Sequence, residues 1–485
     1  MVFSSLIFLY AFLPLSLLVY VLCKGREAKN MSLLVFSLIF YAWGEPKYVL
    51  LLMFMSLCSW FCALRVERAA SRKGKRAWVA VSCAIDIALI GFFKYAGLIC
   101  SVFGEVPEFI ANIALPIGIS FYTFQLLTYV VDVYRGDAEA QPSYLNVLLY
   151  ASLFHQCVAG PIVRYKTIAH ELFVQRDSRD LLSGISRFTV GLAKKTLLAN
   201  PCGALADQLL LSTDAASNAS LFAENLSTLS GLSALGAWMG VAAFMMQIYL
   251  DFSAYSDMAI GMGRMLGLHY LENFDYPYLS KTVTEFWRRW HISLGTFFRD
   301  YVYIPLGGRQ CSKARSVLNL FVVWALTGLW HGAHWNFVLW GLYFFVFILI
   351  ERLFLKRLFA KLHILPHIYL LFVVFVGWIL FHFTDVRLGW TVFLGLFGAN
   401  GNAASDFVSI TLLKNNVFLL AVSAIACTPL VKTMANGAGT RLRRSRSGER
   451  LFNLMAYIVF PIILLLLSTA SLVGDSYNPF IYFQF

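Results

Sequence analysis

Apolar segments close to 20 residues long recur from one end of the chain to the other. The hydrocarbon core of a bilayer is about 30 Å thick and needs about 20 mostly apolar residues in each helix that crosses it. No water is present there to bind free backbone groups, so such segments must be helical. Only 13% of the residues are charged, against roughly 25% in soluble domains. The sequence therefore predicts an all-α integral membrane protein.

The apolar pattern predicts about 11–12 transmembrane helices. The candidate spans are residues 5–22, 31–43, 49–64, 78–98, 115–133, 185–205, 229–250, 318–329, 335–350, 368–383, 416–431 and 454–471. Several are short for a full crossing, which predicts broken or re-entrant helices that line a cavity. Residues 143–164 fit either a span or a re-entrant hairpin. No separate soluble region is evident, so we expect one membrane domain over residues 1–485.

The distribution of basic residues predicts topology. The formal net charge is +13, and Lys and Arg cluster between apolar segments, at residues 24–29, 65–76, 352–361 and 441–450. Residues 204–233 contain neither Lys nor Arg. This is the positive-inside pattern of cytoplasmic loops, which favours a lipid bilayer over nucleic acid as the partner. It places both termini outside. The cysteines form no Cys-x-x-Cys pair, so we expect neither a disulfide framework nor a zinc site.

Polar side chains persist inside apolar sequence from residue 247 onward, and ionisable groups at membrane depth suggest function. Gln247, Asp251 and Ser253 fit two interpretations, because they could line a polar cavity or cap the start of a helix. Both interpretations stay open.

A second polar stretch, residues 284–294, alternates aromatic and basic side chains. Rings and arginines in this pattern suit an interfacial amphipathic helix, which accounts for Arg288 and Arg289. It accounts less easily for His291, for which we expect a catalytic or tunnel-lining role.

A third polar stretch, residues 327–336, places His331 between two apolar runs, beside Trp330 and small residues that permit close approach. Histidine is well suited to take a proton from a hydroxyl near neutral pH, although a packing role is the alternative. His331 and His334 lack an evident third ligand, so no metal is expected.

These motifs together resemble the membrane-bound O-acyltransferase family. The resemblance spans nearly the whole chain, at residues 1–8, 40–48, 159–164 and Leu115-Pro-Ile-Gly-Ile-Ser-Phe-Tyr-Thr-Phe-Gln125. Its specific signatures are Phe286-Trp-Arg-Arg-Trp-His-Ile-Ser293 and Leu329-Trp-His-Gly332. It is closest to the bacterial branch that O-acetylates alginate, peptidoglycan and other cell-wall polysaccharides. It implies a ring of helices around a central tunnel in the bacterial plasma membrane. It also implies that His331 and His291 are functional.

The C-terminal tail, residues 474–485, contains Phe480-x-Tyr482-x-x-Phe485. One interpretation is an aromatic interfacial anchor. The motif also resembles a C-terminal element of these O-acetyltransferases, which implies that the Tyr482 hydroxyl holds the acyl group transiently.

The sequence thus predicts a membrane O-acetyltransferase that moves an acetyl group from cytoplasmic acetyl-CoA, with no bound cofactor, through a tunnel toward an extracytoplasmic glycan. His331, helped by His291, would deprotonate Tyr482, and the acyl group would then pass outside to a partner transferase or directly to a cell-surface glycan. The groups that polarise the carbonyl are not identified, and Arg288 and Arg289 are candidates. A teichoic-acid-type D-alanyl transferase fed by a carrier protein and a non-catalytic transporter are the alternatives.

Overall fold

The computed structural model describes residues 1–157, 160–173, 180–211, 219–359, 361–474 and 477–480. These residues form helices joined by short loops, with no β-strand among them. The helices are α1 Leu13–Leu22, α2 Arg26–Gly44, α3 Val49–Arg68, α4 Arg72–Ile90, α5 Ala96–Phe103, α6 Glu108–Ala111, α7 Ile119–Arg135, α8 Tyr144–Ser152, α9 Phe154–Cys157, α10 Tyr165–Phe173, α11 Leu181–Ala193, α12 Asn200–Leu210, α13 Ala219–Ser230, α14 Ala234–Met265, α15 Val283–Arg289, α16 Ile292–Phe298, α17 Lys313–His331, α18 Trp335–Ile350, α19 Lys356–Phe359, α20 Leu365–His382, α21 Val386–Gly395, α22 Phe407–Ala426, α23 Leu430–Leu442, α24 Arg446–Leu454 and α25 Phe460–Gly474.

Seven helical segments in the described part of the chain are long and apolar enough to cross a membrane. They are Pro46–Arg68, Arg72–Phe103, Ala234–Met265, Trp335–Phe359, Leu365–His382, Phe407–Ala426 and Arg446–Gly474, and Phe8–Leu22 is a shorter apolar helix. The all-α membrane fold is confirmed. The other predicted spans fall on shorter or more polar helices, such as α2, α7 and α17. The ring around a tunnel stays a prediction.

Residues 143–164, whose course the sequence left open, do not form one continuous span in their described part. The nine-residue helix α8 is followed by the four-residue helix α9. Leu153 separates them with an extended ψ of 114°. Short helices of this kind fit a broken segment better than a single crossing.

Turns of π-helix interrupt the α-helical segments at several places. The described ones are Phe8–Phe12, Gly91–Tyr95, Lys194–Ala199, Arg299–Tyr303, Glu351–Leu355 and Met455–Val459. A π turn is formed by i→i+5 hydrogen bonds, and such turns occur frequently at functional sites. Two of them, Lys194–Ala199 and Glu351–Leu355, carry side chains that matter below.

The chain divides into two compact units. The first comprises Met1–Leu192, Tyr255–Glu272 and Ala456–Leu472. Its interior contains a cluster of phenylalanine rings whose centroids lie 5.1–6.4 Å apart, formed by Phe3, Phe8, Phe12, Phe40 and Phe154. On its surface, His269 lies 2.8 Å from a carboxylate oxygen of Glu171 and 2.8 Å from one of Asp180.

The second unit comprises Ala193–Ala254, Asn273–Met455 and Val473–Phe485. Helices α17 and α18 form a tight antiparallel hairpin in it. A methyl group on Gly328 would overlap the Phe337 carbonyl, and one on Gly341 would overlap the Trp324 carbonyl. The predicted close approach at small residues beside His331 is therefore met at Gly328, and Gly341 permits it from α18. The hairpin brings the end of α17 into the aromatic core of this unit.

Candidate active site

The segment around His291 is built on the short helix α15. Its first three backbone N–H groups all have side-chain acceptors. Thr282 accepts from Glu285 N at 3.0 Å. The carboxylate of Glu351, which is buried, accepts from Val283 N at 2.5 Å and from Thr284 N at 3.1 Å. Since the first N–H groups of a helix have no partner within it, these contacts fix where α15 starts and how it is oriented.

Between α15 and α16 the backbone turns at His291, which adopts a left-handed conformation with φ 45° and ψ 56°. A residue other than glycine in this region is uncommon, and such strain often marks a functional site. The buried Asn273 holds the turn, because its carbonyl accepts from Ile292 N at 2.9 Å and its Oδ1 accepts from Ser293 N at 3.1 Å. The predicted single amphipathic helix is thus two helices with His291 at the break.

Hydrogen bonding defines which ring nitrogen of His291 carries the proton. The Asn273 side-chain atom that accepts from Ser293 N must be oxygen, since a backbone N–H can only donate. That oxygen lies 3.2 Å from His291 Nδ1, so Nδ1 donates and the lone pair of the neutral ring is on Nε2. Burial lowers the pKa of His291 to about 3. The ring is therefore neutral at pH 7 and can accept a hydrogen bond through Nε2.

His331 is the last residue of α17, and Trp330 stands between it and His291. The Trp330 ring centroid is 5.7 Å from that of His291 and 4.9 Å from that of His331. His331 also packs edge-on against Trp340, at 4.8 Å, and Phe381, at 5.3 Å. The structure brings together the two predicted catalytic histidines, which are 40 positions apart in the chain.

Asp251 and Ser253 lie within the 32-residue helix α14, so the interpretation that they cap a helix start is wrong. Ser253 donates to the carbonyl of Leu250 in its own helix at 3.4 Å. The residue between them, Phe252, packs edge-on against His291 with centroids 4.7 Å apart. Asp251 is therefore a buried polar residue next in the chain to a ring that contacts His291. We call His291, Trp330 and His331 the histidine cluster.

Sequence reasoning missed Lys195, which forms an ion pair with Asp251. The Lys195 Nζ lies 2.8 Å from Asp251 Oδ1, and the two side chains are only 1% and 2% exposed. Lys195 lies in the π turn Lys194–Ala199. The signal was present in the sequence, because a lysine inside the predicted span 185–205 is a default functional candidate.

The described part of the C-terminal tail, Tyr477–Phe480, runs along the π turn that contains Lys195 and along α12, which follows it. The Tyr477 hydroxyl donates to Asp207 Oδ2 at 2.5 Å, and Asn200 Nδ2 donates to Asn478 Oδ1 at 3.2 Å. Lys195 Nζ donates to the carbonyl of Pro479. Phe480, the first residue of the C-terminal motif, is buried. Tyr482 lies outside the described residues.

Gln247 and the two arginines occupy different environments. Gln247 is buried on α14, and both its side-chain amide and the Tyr477 hydroxyl border Gly203. Arg288 is exposed, and Arg289 forms a 2.9 Å ion pair with Glu285 on the surface. The arginines therefore do not face the histidine cluster, because the outer side of α15 carries them. Unlike the two arginines, Lys195 is a buried cation in the described part of this unit.

Residues 137–393 match the model of the MBOAT, membrane-bound O-acyltransferase family. The chain belongs to the membrane-bound O-acyltransferase family. The matched region contains Lys195, Asp251, His291 and His331, and the C-terminal tail follows it. Membership makes the chain a multi-pass membrane enzyme that transfers an acyl group from a donor to a hydroxyl, so the alternative of a non-catalytic transporter is set aside.

Three relatives illustrate what the chain is similar to. The chain is 33% identical to the probable alginate O-acetylase AlgI of Azotobacter vinelandii over 517 residues, with both chains covered completely. It is 30% identical to the peptidoglycan O-acetyltransferase of Helicobacter pylori, over 83% of this chain and 80% of the relative. The chain is 26% identical to the teichoic acid D-alanyltransferase of Bacillus subtilis, over 48% of this chain and 58% of the relative.

Proposed function

We propose that this membrane O-acyltransferase is an acetyltransferase that carries acetyl groups from cytoplasmic acetyl-CoA, by way of Tyr482, to a polysaccharide outside the membrane. Two relatives that align over four fifths or more of the chain are named as an alginate O-acetylase and a peptidoglycan O-acetyltransferase. The D-alanyltransferase aligns over 48% of the chain. This difference in coverage favours acetyl over D-alanyl transfer.

The observation that carries the relay is the position of the tail. Pro479 is bonded to Lys195, Lys195 is paired with Asp251, and the adjacent Phe252 packs on His291. The described tail thus ends in the same unit as both histidines. In sequence, Tyr482 follows Phe480, the buried residue at which the described tail ends, by two positions.

The first chemical step transfers the acetyl group to Tyr482. An imidazole, His331 in this proposal, takes the proton from the phenol, whose ordinary pKa is near 10. The phenolic oxygen attacks the thioester carbonyl, the new C–O bond forms, and the C–S bond breaks. The proton passes from the imidazole to the leaving thiolate, so free coenzyme A departs and an acetyl-tyrosine ester remains.

The second step transfers the acetyl group onward. An acceptor hydroxyl loses its proton to the imidazole and attacks the ester carbonyl, and the phenolate leaves and regains that proton. His291, neutral and with its lone pair on Nε2, serves as a second acceptor for a hydroxyl in the same cluster. Aryl esters are more reactive than alkyl esters, which makes this step favourable. The acceptor is a partner transferase or the glycan itself on the outer face, where we place both termini.

The test is to incubate the purified chain in lipid with acetyl-CoA labelled in the acetyl group. Wild type is compared with Tyr482→Phe and His331→Ala, and peptide mass spectrometry locates the label. Tyr457→Phe and His363→Ala, a change at an exposed histidine, are the matched controls. We expect label on Tyr482 in wild type and both controls, and none in the two site variants.

Three other results would change the proposal. Acetylation of an added glycan without labelled Tyr482 would show direct transfer and refute the relay. Label in His331→Ala at the wild-type rate would refute the base. If the folded wild type neither takes label nor transfers acetyl, but accepts D-alanine from a charged carrier protein, the D-alanyl alternative is correct.

A further inference from the structure

Consecutive residues of the tail are each held by the stretch of chain from Lys195 to Asp207. Tyr477 bonds to Asp207, Asn478 to Asn200, and Pro479 to Lys195. As the tail advances by one residue, its partner moves back by seven and then five positions. The tail therefore runs antiparallel to this stretch of chain. Its three partners span about 18 Å of helix at 1.5 Å per residue, whereas the backbone from Tyr477 to Pro479 spans at most about 7 Å, so the long side chains of Tyr477 and Lys195 bridge the difference.

The last of these partners, Lys195, is the one that carries charge in the interior. A lysine removed from water is costly unless its charge is paired and its N–H groups are bonded. Asp251 neutralises it, and the Pro479 carbonyl takes another of its three donors. The tail carbonyl thus satisfies a donor of Lys195 that the ion pair with Asp251 leaves over.

From these contacts we propose that the Lys195–Asp251 pair is the docking site of the C-terminal tail, and that Lys195 is a positioning residue for Tyr482. The tail lies extended along the helix until the Pro479 carbonyl meets the Lys195 ammonium, and this contact sets how far the following residues reach. The positioning role rests on the proposed relay, whereas the docking role does not.

The neighbouring Lys194 provides a matched control. It precedes Lys195 in the same π turn but is partly exposed. Two variants separate Lys195 from its carboxylate partner. Asp251→Asn removes the negative charge and keeps the lysine N–H donors for Pro479. Lys195→Met with Asp251→Asn removes both charges, so no unpaired buried charge threatens the fold.

The first readout is backbone amide exchange of the tail in the full chain, purified in lipid nanodiscs. Proline has no amide, so Asn478 and Phe480 report on the contact from either side. We expect their exchange to be about tenfold faster or more in the double variant than in Asp251→Asn, because a hydrogen bond to a charged donor is lost. Lys194→Met is expected to match wild type. Equal exchange in the double and single variants would overturn the docking role.

The second readout is labelling of Tyr482 by acetyl-CoA. In the double variant we expect kcat for label transfer to fall at least tenfold with KM for acetyl-CoA unchanged, since the donor site is intact. Unchanged labelling despite faster tail exchange would overturn the positioning role. If wild-type Tyr482 takes no label while tail exchange still depends on Lys195, the proposed relay fails and the docking site stands.

Discussion

Removal of the Glu351 carboxylate is expected to misplace His291 from a distance. Glu351 sits at the end of α18 and accepts three hydrogen bonds at the start of α15, from Val283 N, Thr284 N and the Thr284 hydroxyl. Loss of a helix cap costs about 0.5–2 kcal/mol. Each buried donor left without a partner costs about 1–3 kcal/mol. Val283 is fully buried, whereas Thr284 is partly exposed, so water can satisfy one of the two N–H groups.

We therefore expect Glu351→Ala to lower the free energy of unfolding by about 2–4 kcal/mol. Glu351→Gln keeps one carbonyl oxygen for Val283 and loses the charge and one acceptor, so about 1–2 kcal/mol is expected. Equilibrium unfolding in mixed micelles measures both, with the exposed Glu108→Ala as control. Under conditions where all three remain folded, the label-transfer rate should fall in the order wild type, Gln, Ala.

The result that would refute this reasoning is a stable Glu351→Ala variant with an undiminished rate. It would mean that α15 finds other acceptors, and that the cap does not orient the His291 turn. A variant that is destabilised as expected yet transfers acetyl groups normally when folded would separate the two claims, leaving Glu351 with a purely structural role.

Three further changes test other parts of the structure. Asn273→Ala removes the acceptor that holds the His291 turn; we expect a loss of about 2–3 kcal/mol in unfolding free energy and slower label transfer, partly restored by Asn273→Asp. Gly341→Ala places a methyl group against the Trp324 carbonyl and should cost about 1–3 kcal/mol, whereas Gly437→Ala, in open space, should not. The carboxylates of Asp180 and Glu171 raise the pKa of His269, so its stabilisation is present below about pH 6.5 and disappears as pH rises through the raised value. The difference in thermal midpoint between wild type and His269→Gln should therefore be largest in acid and vanish in alkali.

The sequence predicted the class of fold well because lipid leaves few choices. Long apolar segments must be helices, and the described chain is helical throughout its spans. Boundaries were less accurate where apolar composition continues past a helix end. The predicted span 416–431 is shifted toward the C-terminus relative to α22, Phe407–Ala426, because the Asp406 cap that starts this helix precedes a stretch of mixed polarity.

The individual site residues divide by the kind of information that each requires. His291 and His331 stand in short motifs, so the sequence identified them, and the structure shows Trp330 between their rings. Asn273 contacts His291 from 18 positions away in the chain. Glu351 contacts Val283, at the start of the helix that precedes the turn, from 68 positions away. No local pattern marks such residues, because an asparagine or glutamate in a loop or at a helix end is ordinary until its partners are known.

Lys195 shows where the sequence argument could have gone further. Two adjacent lysines within an otherwise apolar segment are expected to point to different sides of a helix, since successive residues are about 100° apart. If one reaches water or headgroups, the other must turn inward and find a counter-charge. Asp251 was already a candidate within a buried span, so a pairing of the two charges followed from burial alone. Burial alone does not identify Pro479 as the second partner of Lys195. The Pro479 carbonyl belongs to a tail that looks like an interfacial anchor in sequence, and only its position along the helix from Lys195 to Asp207 indicates that the buried charge serves the end of the chain.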